Sequence, residues 1–302
     1  MKKNLLVLAA LSVVALPFLF SCGKPNDPDK PAETVVMQDP PTKDAAIKIE
    51  FHEDKPLPKY VDNEGEYEVL SIEFTESNRY IIKRRIIETR AKVGDIQTVV
   101  GSYTENNGNY NCAGFGSVNV SGSGNNANVN VKPEGEENKG NEFNGNANVK
   151  DTPEGSSQDQ KNADRNWKIN TTTLEVVGGD GVRFSHDFNG CDLYEMATYA
   201  VKNKANIDPS KFVGYNVVEF IFTGNGTFAI NFTGPNAPAI EGTYKINESS
   251  KTINFTLQGD NPFFSGSIPG TYEYSADKKM TLVLNASIKG YSGSMTFIMV
   301  QN

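Results

Sequence analysis

The chain has 302 residues, 37 % of them hydrophobic, and a formal net charge of −8. That acidic balance excludes a nucleic-acid partner, because phosphate binding needs a basic patch. With two histidines and three cysteines, neither a histidine-rich metal site nor a disulfide framework is expected, and no cofactor is implied.

The N-terminus carries Lys2 and Lys3, then an apolar run from Leu5 to Phe20, then Ser21 and Cys22. A charged start, a short greasy core and a small residue before a break describe a secretory signal. A spanning helix needs about 20 apolar residues, and this run is shorter and contains Pro17. An ordinary cleaved signal would leave Cys22 as a free thiol. Leu19-Phe20-Ser21-Cys22 resembles the lipobox of bacterial lipoproteins. The resemblance implies cleavage of residues 1–21 and acylation of Cys22 on its sulfur and new amine. Gly23 in place of Asp implies the outer membrane. Each buried methylene contributes roughly 0.8 kcal/mol, and two or more chains anchor stably.

Residues 22–45 are rich in Pro, Asp and Lys and read as a disordered tether. A first β module is expected over 46–133. Alternating apolar residues predict strands at 47–51, 67–74, 80–86, 98–103, 117–120 and 127–131, with a bulge near Leu70-Ser71. Lys83-Arg84-Arg85 reads as a solvated edge. Residues 134–166 read as an Asn/Gly-rich low-complexity insert. The alternative rests on a repeated Asn-Ala-Asn-Val, at 126–129 and 146–149, which makes two strands of one hairpin.

A second β module is expected over 167–302. Strands are predicted at 167–169 and 173–177, then a turn at Gly178-Gly-Asp-Gly181. Ser185-His186-Asp187 reads as a turn too, since adjacent residues cannot hold triad geometry. Leu193, Met196, Ala197, Ala200 and Val201 fall at helical spacing, with Asp192 and Glu195 placed for a capping box. Strands follow near 215–223, 226–233, 239–246, 251–258, 269–274, 279–288 and 291–300. Short strands at regular spacing mean a sandwich or barrel. Cys112 and Cys191 could pair in an oxidising compartment or stay as two free thiols.

The two β regions share an internal repeat. Tyr67, Val69, Ile72, Phe74, Thr75, Tyr80 and Ile82 match Tyr215, Val217, Phe220, Phe222, Thr223, Phe228 and Ile230 in spacing. Gly101-Ser-Tyr103 then matches Gly242-Thr-Tyr244. A repeated unit points to two related modules. The strand–turn–strand opening with Gly-x-Tyr, and the phrase Phe188-Asn-Gly-Cys-Asp-Leu193, resemble the lipocalin-like domains of Bacteroidetes lipoproteins. The lipocalin Gly-x-Trp opening is absent, with Arg165 in the Gly position.

The expected fold is mainly β: two related antiparallel modules, barrel or sandwich, with one short helix. The expected function is non-enzymatic. A lipid-anchored envelope protein would bind a small apolar ligand or an envelope partner, with Tyr215, Phe222, Phe228 and Tyr244 as candidate pocket residues. These aromatics equally suit a solid core, and Phe263-Phe264 suit either a site rim or a loop cluster. The alternative is an adhesive surface protein that contacts protein or glycan. A hydrolase would need paired buried carboxylates, for which Glu241, Asp192 and Glu195 are the candidates. Gly178-Gly-Asp-Gly181 and Asp260-Asn261 lack the spacing of a calcium loop and read as turns.

Overall fold

The computed structural model describes residues 46–89, 96–153, 155, 157–178, 183–203, 205–206, 208–233, 240–258, 267–275, 277–288 and 291–301. Cys22, the tether, most of the 178–181 turn, Asp260-Asn261 and Phe263-Phe264 lie outside these residues.

The protein is mainly β and forms two antiparallel barrels of eight strands each. The first contains β1 (Ile47–Phe51), β2 (Lys59–Asp62), β3 (Gly65–Phe74), β4 (Arg79–Thr89) and β5 (Ile96–Asn106). It continues with β6 (Asn109–Cys112), β7 (Gly116–Ser121), β8 (Gly124–Pro133) and β9 (Phe143–Asp151). From β2 to β9 neighbours in sequence are neighbours in the sheet, and β1 pairs with both β3 and β9, which closes the ring. β1 and β2 share one edge of β3: β1 pairs with residues 71–74, β2 with 65–68. The register of β3 on β4 slips between Val69 and Ser71, at the expected bulge.

The second barrel begins at β10 (Asn166–Gly178), preceded by the one-and-a-half-turn helix α1 (Gln158–Ala163). Then come β11 (Arg183–Asn189), α2 (Leu193–Lys202) and β12 (Asn216–Phe222). β13 (Thr227–Thr233), β14 (Ile240–Asn247), β15 (Thr252–Leu257), β16 (Ser267–Ser275), β17 (Lys279–Ile288) and β18 (Tyr291–Gln301) complete it. Here β10 pairs with β18 along most of its length, and on its other edge with β12 and then β11. Asp192 caps α2, with Oδ1 accepting from the Tyr194 and Glu195 amides at 2.8 and 3.0 Å. Leu193, Met196, Ala197 and Ala200 are buried as their spacing predicts, whereas Val201 is exposed.

Three sequence expectations change. The segment 134–166 holds β9 and α1 rather than a low-complexity loop, and the two Asn-Ala-Asn-Val copies pair across β8 and β9, with Ala127 opposite Ala147. Alternating small residues let a polar-looking strand fill one inward face. Ser185-His186-Asp187 lies inside strand β11. Arg84 is no solvated edge: it points inward between Ile82 and Ile86 and is 4 % exposed. Its guanidinium lies 3.5 Å from the Tyr67 ring centroid and donates to Tyr60, Asp62 and Gln97.

The repeat has a physical cause. In each barrel a Thr ends one strand and starts a tight turn, at Thr75 and Thr223. Residue 78 or 226 then adopts positive φ, 59° in Asn78 and 88° in Gly226. The tyrosine of Gly-x-Tyr folds back on that turn. Its hydroxyl donates to the Thr carbonyl, Tyr103 to Thr75 at 2.8 Å and Tyr244 to Thr223 at 2.7 Å. The glycine sits opposite the aromatic ring of the preceding strand, Gly101 across from Tyr80 and Gly242 across from Phe228. A Cβ on Gly242 would fall 2.1 Å from the Thr256 carbonyl oxygen and 2.8 Å from the Phe228 ring. Gly242→Ala should therefore destabilise the protein by about 1–3 kcal/mol, the usual cost of overpacking. Chemical denaturation checks this, and an unchanged midpoint would contradict the close approach.

Candidate functional site

The two barrels meet side by side, with β3, β4 and β5 facing β12, β13 and β14. Burial marks the seam: Leu70 to Phe74 are all buried, although alternate residues of a strand face opposite ways. One face looks into the first barrel and the other is covered by the second. Arg79 crosses the seam. Its Nη1 donates to Asp164 Oδ1 at 2.5 Å and to the Phe222 carbonyl at 3.0 Å, and its Nη2 to Asn166 Oδ1 at 2.6 Å. Lys83 reaches Glu241 at 2.6 Å, and Asn231 donates to the Thr98 carbonyl at 3.2 Å. Lys83 and Asn231 follow Tyr67 and Tyr215 by the same interval, so each barrel extends an equivalent residue into the other.

A cavity of about 60 Å³ lies in this seam, with Glu73, Lys83, Thr98, Thr223 and Glu241 among its walls. Glu73 is 6 % exposed and accepts from Asn225 Nδ2 at 2.5 Å. Burial pushes its carboxyl above the ordinary value, against the opposing pull of Lys48 and Asn225.

One end of the second barrel is plugged. Asp159 of α1 accepts from the Tyr272 hydroxyl and from Lys251, each at 2.5 Å, and its carbonyl accepts from Tyr274 at 3.0 Å. Burial, then the Asp159 contact, raise the Tyr272 phenol well above its ordinary value. Trp167 is fully buried below α1 and donates to the Ala163 carbonyl at 3.0 Å.

Towards the opposite end, the described residues line a cavity of about 40 Å³ with apolar side chains that include Phe228, Ile230, Phe232, Leu257, Ile268 and Leu284. Ile230, Phe232, Leu257, Ile268 and Leu284 are only partly buried. About three water-sized spheres would fill it, whereas pockets that enclose a whole small molecule run to about 300–1,000 Å³.

Of the four aromatics singled out in the sequence, Phe228 lines this cavity. Phe222 and Tyr244 lie deeper, edge to face with ring centroids 5.0 Å apart, and are buried. Tyr215 is half-buried against the same core. The aliphatic residues around the opening escaped the sequence reading. Their signal was inward alternation at strand ends, which is identical to that of core residues until the plugged end is known.

Glu241 and Asp192, two of the carboxylates considered for catalysis, have structural partners, as does Asp187. Glu241 pairs with Lys83, Asp192 caps α2, and Asp187 accepts from the Thr173 hydroxyl at 2.6 Å. His186 stacks on Tyr199, with centroids 4.0 Å apart. Ser185 and Asp187 lie on the opposite strand face from His186, which precludes a triad. Cys112 and Cys191 are free and buried, one in each barrel, and burial pushes both thiols up to about 12. Among the described residues no three His, Cys, Asp or Glu side chains converge on a metal position.

No family model matches the chain, and no curated protein does. Solved structures similar to it include two of transferrin binding protein B. One is a double mutant of transferrin binding protein B, a vaccine antigen from Haemophilus parasuis, at 10 % identity and TM-score 0.23, covering 79 % of this chain and 55 % of that one. The other is isotype 1 transferrin binding protein B from serogroup B Neisseria meningitidis, at 12 % identity and TM-score 0.23, covering 84 % and 58 %. The chain thus spans less than three fifths of the length of either.

The seam gives a pH prediction. A carboxyl with a raised folded-state pKa binds its proton more tightly in the native state than in the unfolded one. Its stabilising effect is complete below the unfolded value and is lost as pH rises through the folded value. Glu73→Gln keeps an acceptor for Asn225 without the buried charge. The variant should be more stable than the wild type at pH 8, by about 1 kcal/mol, with the gap closing towards pH 4. Thermal melts across that range test it; a variant less stable at pH 8 would contradict the sign.

Proposed function

We propose that this chain is a lipid-anchored, non-enzymatic protein of the cell envelope that binds an envelope partner through the open end of its second barrel. The lipobox-like ending at Cys22 supports the anchor and, with Gly23, an outer-membrane location. The structural roles of Glu241, Asp192 and Asp187 support a binding role over a hydrolytic one. The observation that carries the reading is the size and chemistry of the opening, about 40 Å³ with apolar walls. Such a recess suits one apolar side chain of a protein partner better than a whole enclosed ligand. Phe228 forms its floor, and Phe222 and Tyr244 brace that floor from below; Tyr215, just before β12, packs against the same core. Eight strands give an interior that side chains alone can fill, so the scaffold stays rigid while its rim makes contact.

Two measurements test the parts separately. Cells fed radioactive palmitate should label the wild-type chain and not Cys22→Ala, which should appear in the soluble fraction; label retained by Cys22→Ala would overturn the anchor. A photo-crosslinking residue at Ile268, at the opening, should give a discrete protein adduct in the native host, whereas one at exposed Ser249, on the plugged side, should not. Native mass spectrometry of the protein from its host should show no small molecule bound. Equal adducts from both positions, or a stoichiometric small-molecule ligand, would overturn the binding mode.

A further inference from the structure

Two strands stand at the ends of the sheet orders, β2 and β11. An unpaired strand edge is a template for another strand. The outer edge of β2 is occupied: the Asn138 side chain accepts from the Val61 amide at 2.6 Å and donates to the Val61 carbonyl at 2.9 Å. β11 has no comparable cover among the described residues and pairs only with β10.

The register tells which β11 groups point outward. The Gly190 amide donates to the Asn170 carbonyl at 2.9 Å, and every pairing of β10 with β11 keeps that register. Hydrogen-bonded and non-bonded pairs alternate in an antiparallel ladder. Phe188, His186 and Phe184 therefore bond to β10, and Arg183, Ser185 and Asp187 turn their backbone amides and carbonyls away from it. Those three residues are exposed. The other β11 face is already covered, with Phe184, His186 and Phe188 packed around Tyr199 of α2.

The geometry points to a second copy of this chain as the occupant, with two β11 edges pairing antiparallel about Ser185. Charge makes this edge self-complementary. A two-fold axis at Ser185 sets Arg183 of one copy opposite Asp187 of the other, twice over. Opposite charges directly across a strand pair attract, and like charges in that position repel. Arg183 makes no ion pair among the described residues, and its side chain is exposed. A two-fold contact of this kind is isologous, using the same patch on both copies. So short a pairing buries little surface, and copies held on one membrane gain from their high effective concentration. That last gain alone rests on the lipid anchor proposed above.

The test uses the full chain in membranes of its host. Ser185→Cys should form a disulfide-linked dimer under mild oxidation, because a directly opposed pair lies within bridging distance. The buried Cys112 and Cys191 should not react, and Ser249→Cys should give at least fivefold less dimer. Adding Arg183→Glu to Ser185→Cys should abolish the dimer. The swap Arg183→Asp with Asp187→Arg in the same background should restore it. Absence of dimer from Ser185→Cys, dimer unaffected by Arg183→Glu, or a cross-link to a protein of different mass would each overturn the proposal. Palmitate labelling of the same membranes reads the state of the anchor independently.

Discussion

The pairing of each first strand with its last is the constraint on which the molecule depends. β1 lies against β9, and β10 against β18, with residues 52–142 between the first pair and 179–290 between the second. These ladders leave no continuous sheet edge, and they turn every inward residue towards one enclosed core. Without closure, the alternating apolar faces of the remaining strands would have nothing opposite them. The cost is kinetic, since contacts between distant segments form only after a long loop has been closed.

Within that frame the two barrels repeat one device and then diverge. The Thr turn, the folded-back tyrosine and the glycine opposite an aromatic ring recur in both halves, and they fix how the second, third and fourth strands of the ring begin. The same strands form the seam. There, Arg79 satisfies one oxygen of the buried Asp164 and two groups of the second barrel. A buried ion pair is weak evidence of stability but specifies geometry, because removing one partner strands the other charge. Divergence lies elsewhere. The second barrel gains α1 as a plug, and β11 with α2 as an excursion between β10 and β12.

Local pattern was readable in the sequence wherever one face is apolar. The helix at α2, the bulge at Leu70 and the repeated turn all follow from spacing and capping chemistry. Strands with small or polar inward residues were not readable. β9 alternates Ala147 and Val149 with asparagines, and β11 offers only Phe184 and Phe188. Arg84 misled for a related reason: composition marks it as surface, and only the position of Tyr60, Tyr67 and Asp62 on other strands makes its burial tolerable. The aromatic content foretold a core, but not which end of a barrel is plugged. That depends on Asp159 meeting Tyr272 across 113 residues.

Hydrogen–deuterium exchange, resolved by strand, is the most direct check on closure. Amides shared between β1 and β9, and between β10 and β18, should be protected as strongly as those between β3 and β4 or β16 and β17. If the terminal strands of either half exchange at the rate of the turns while their neighbours stay protected, that half is an open sheet, and the closed-barrel account fails.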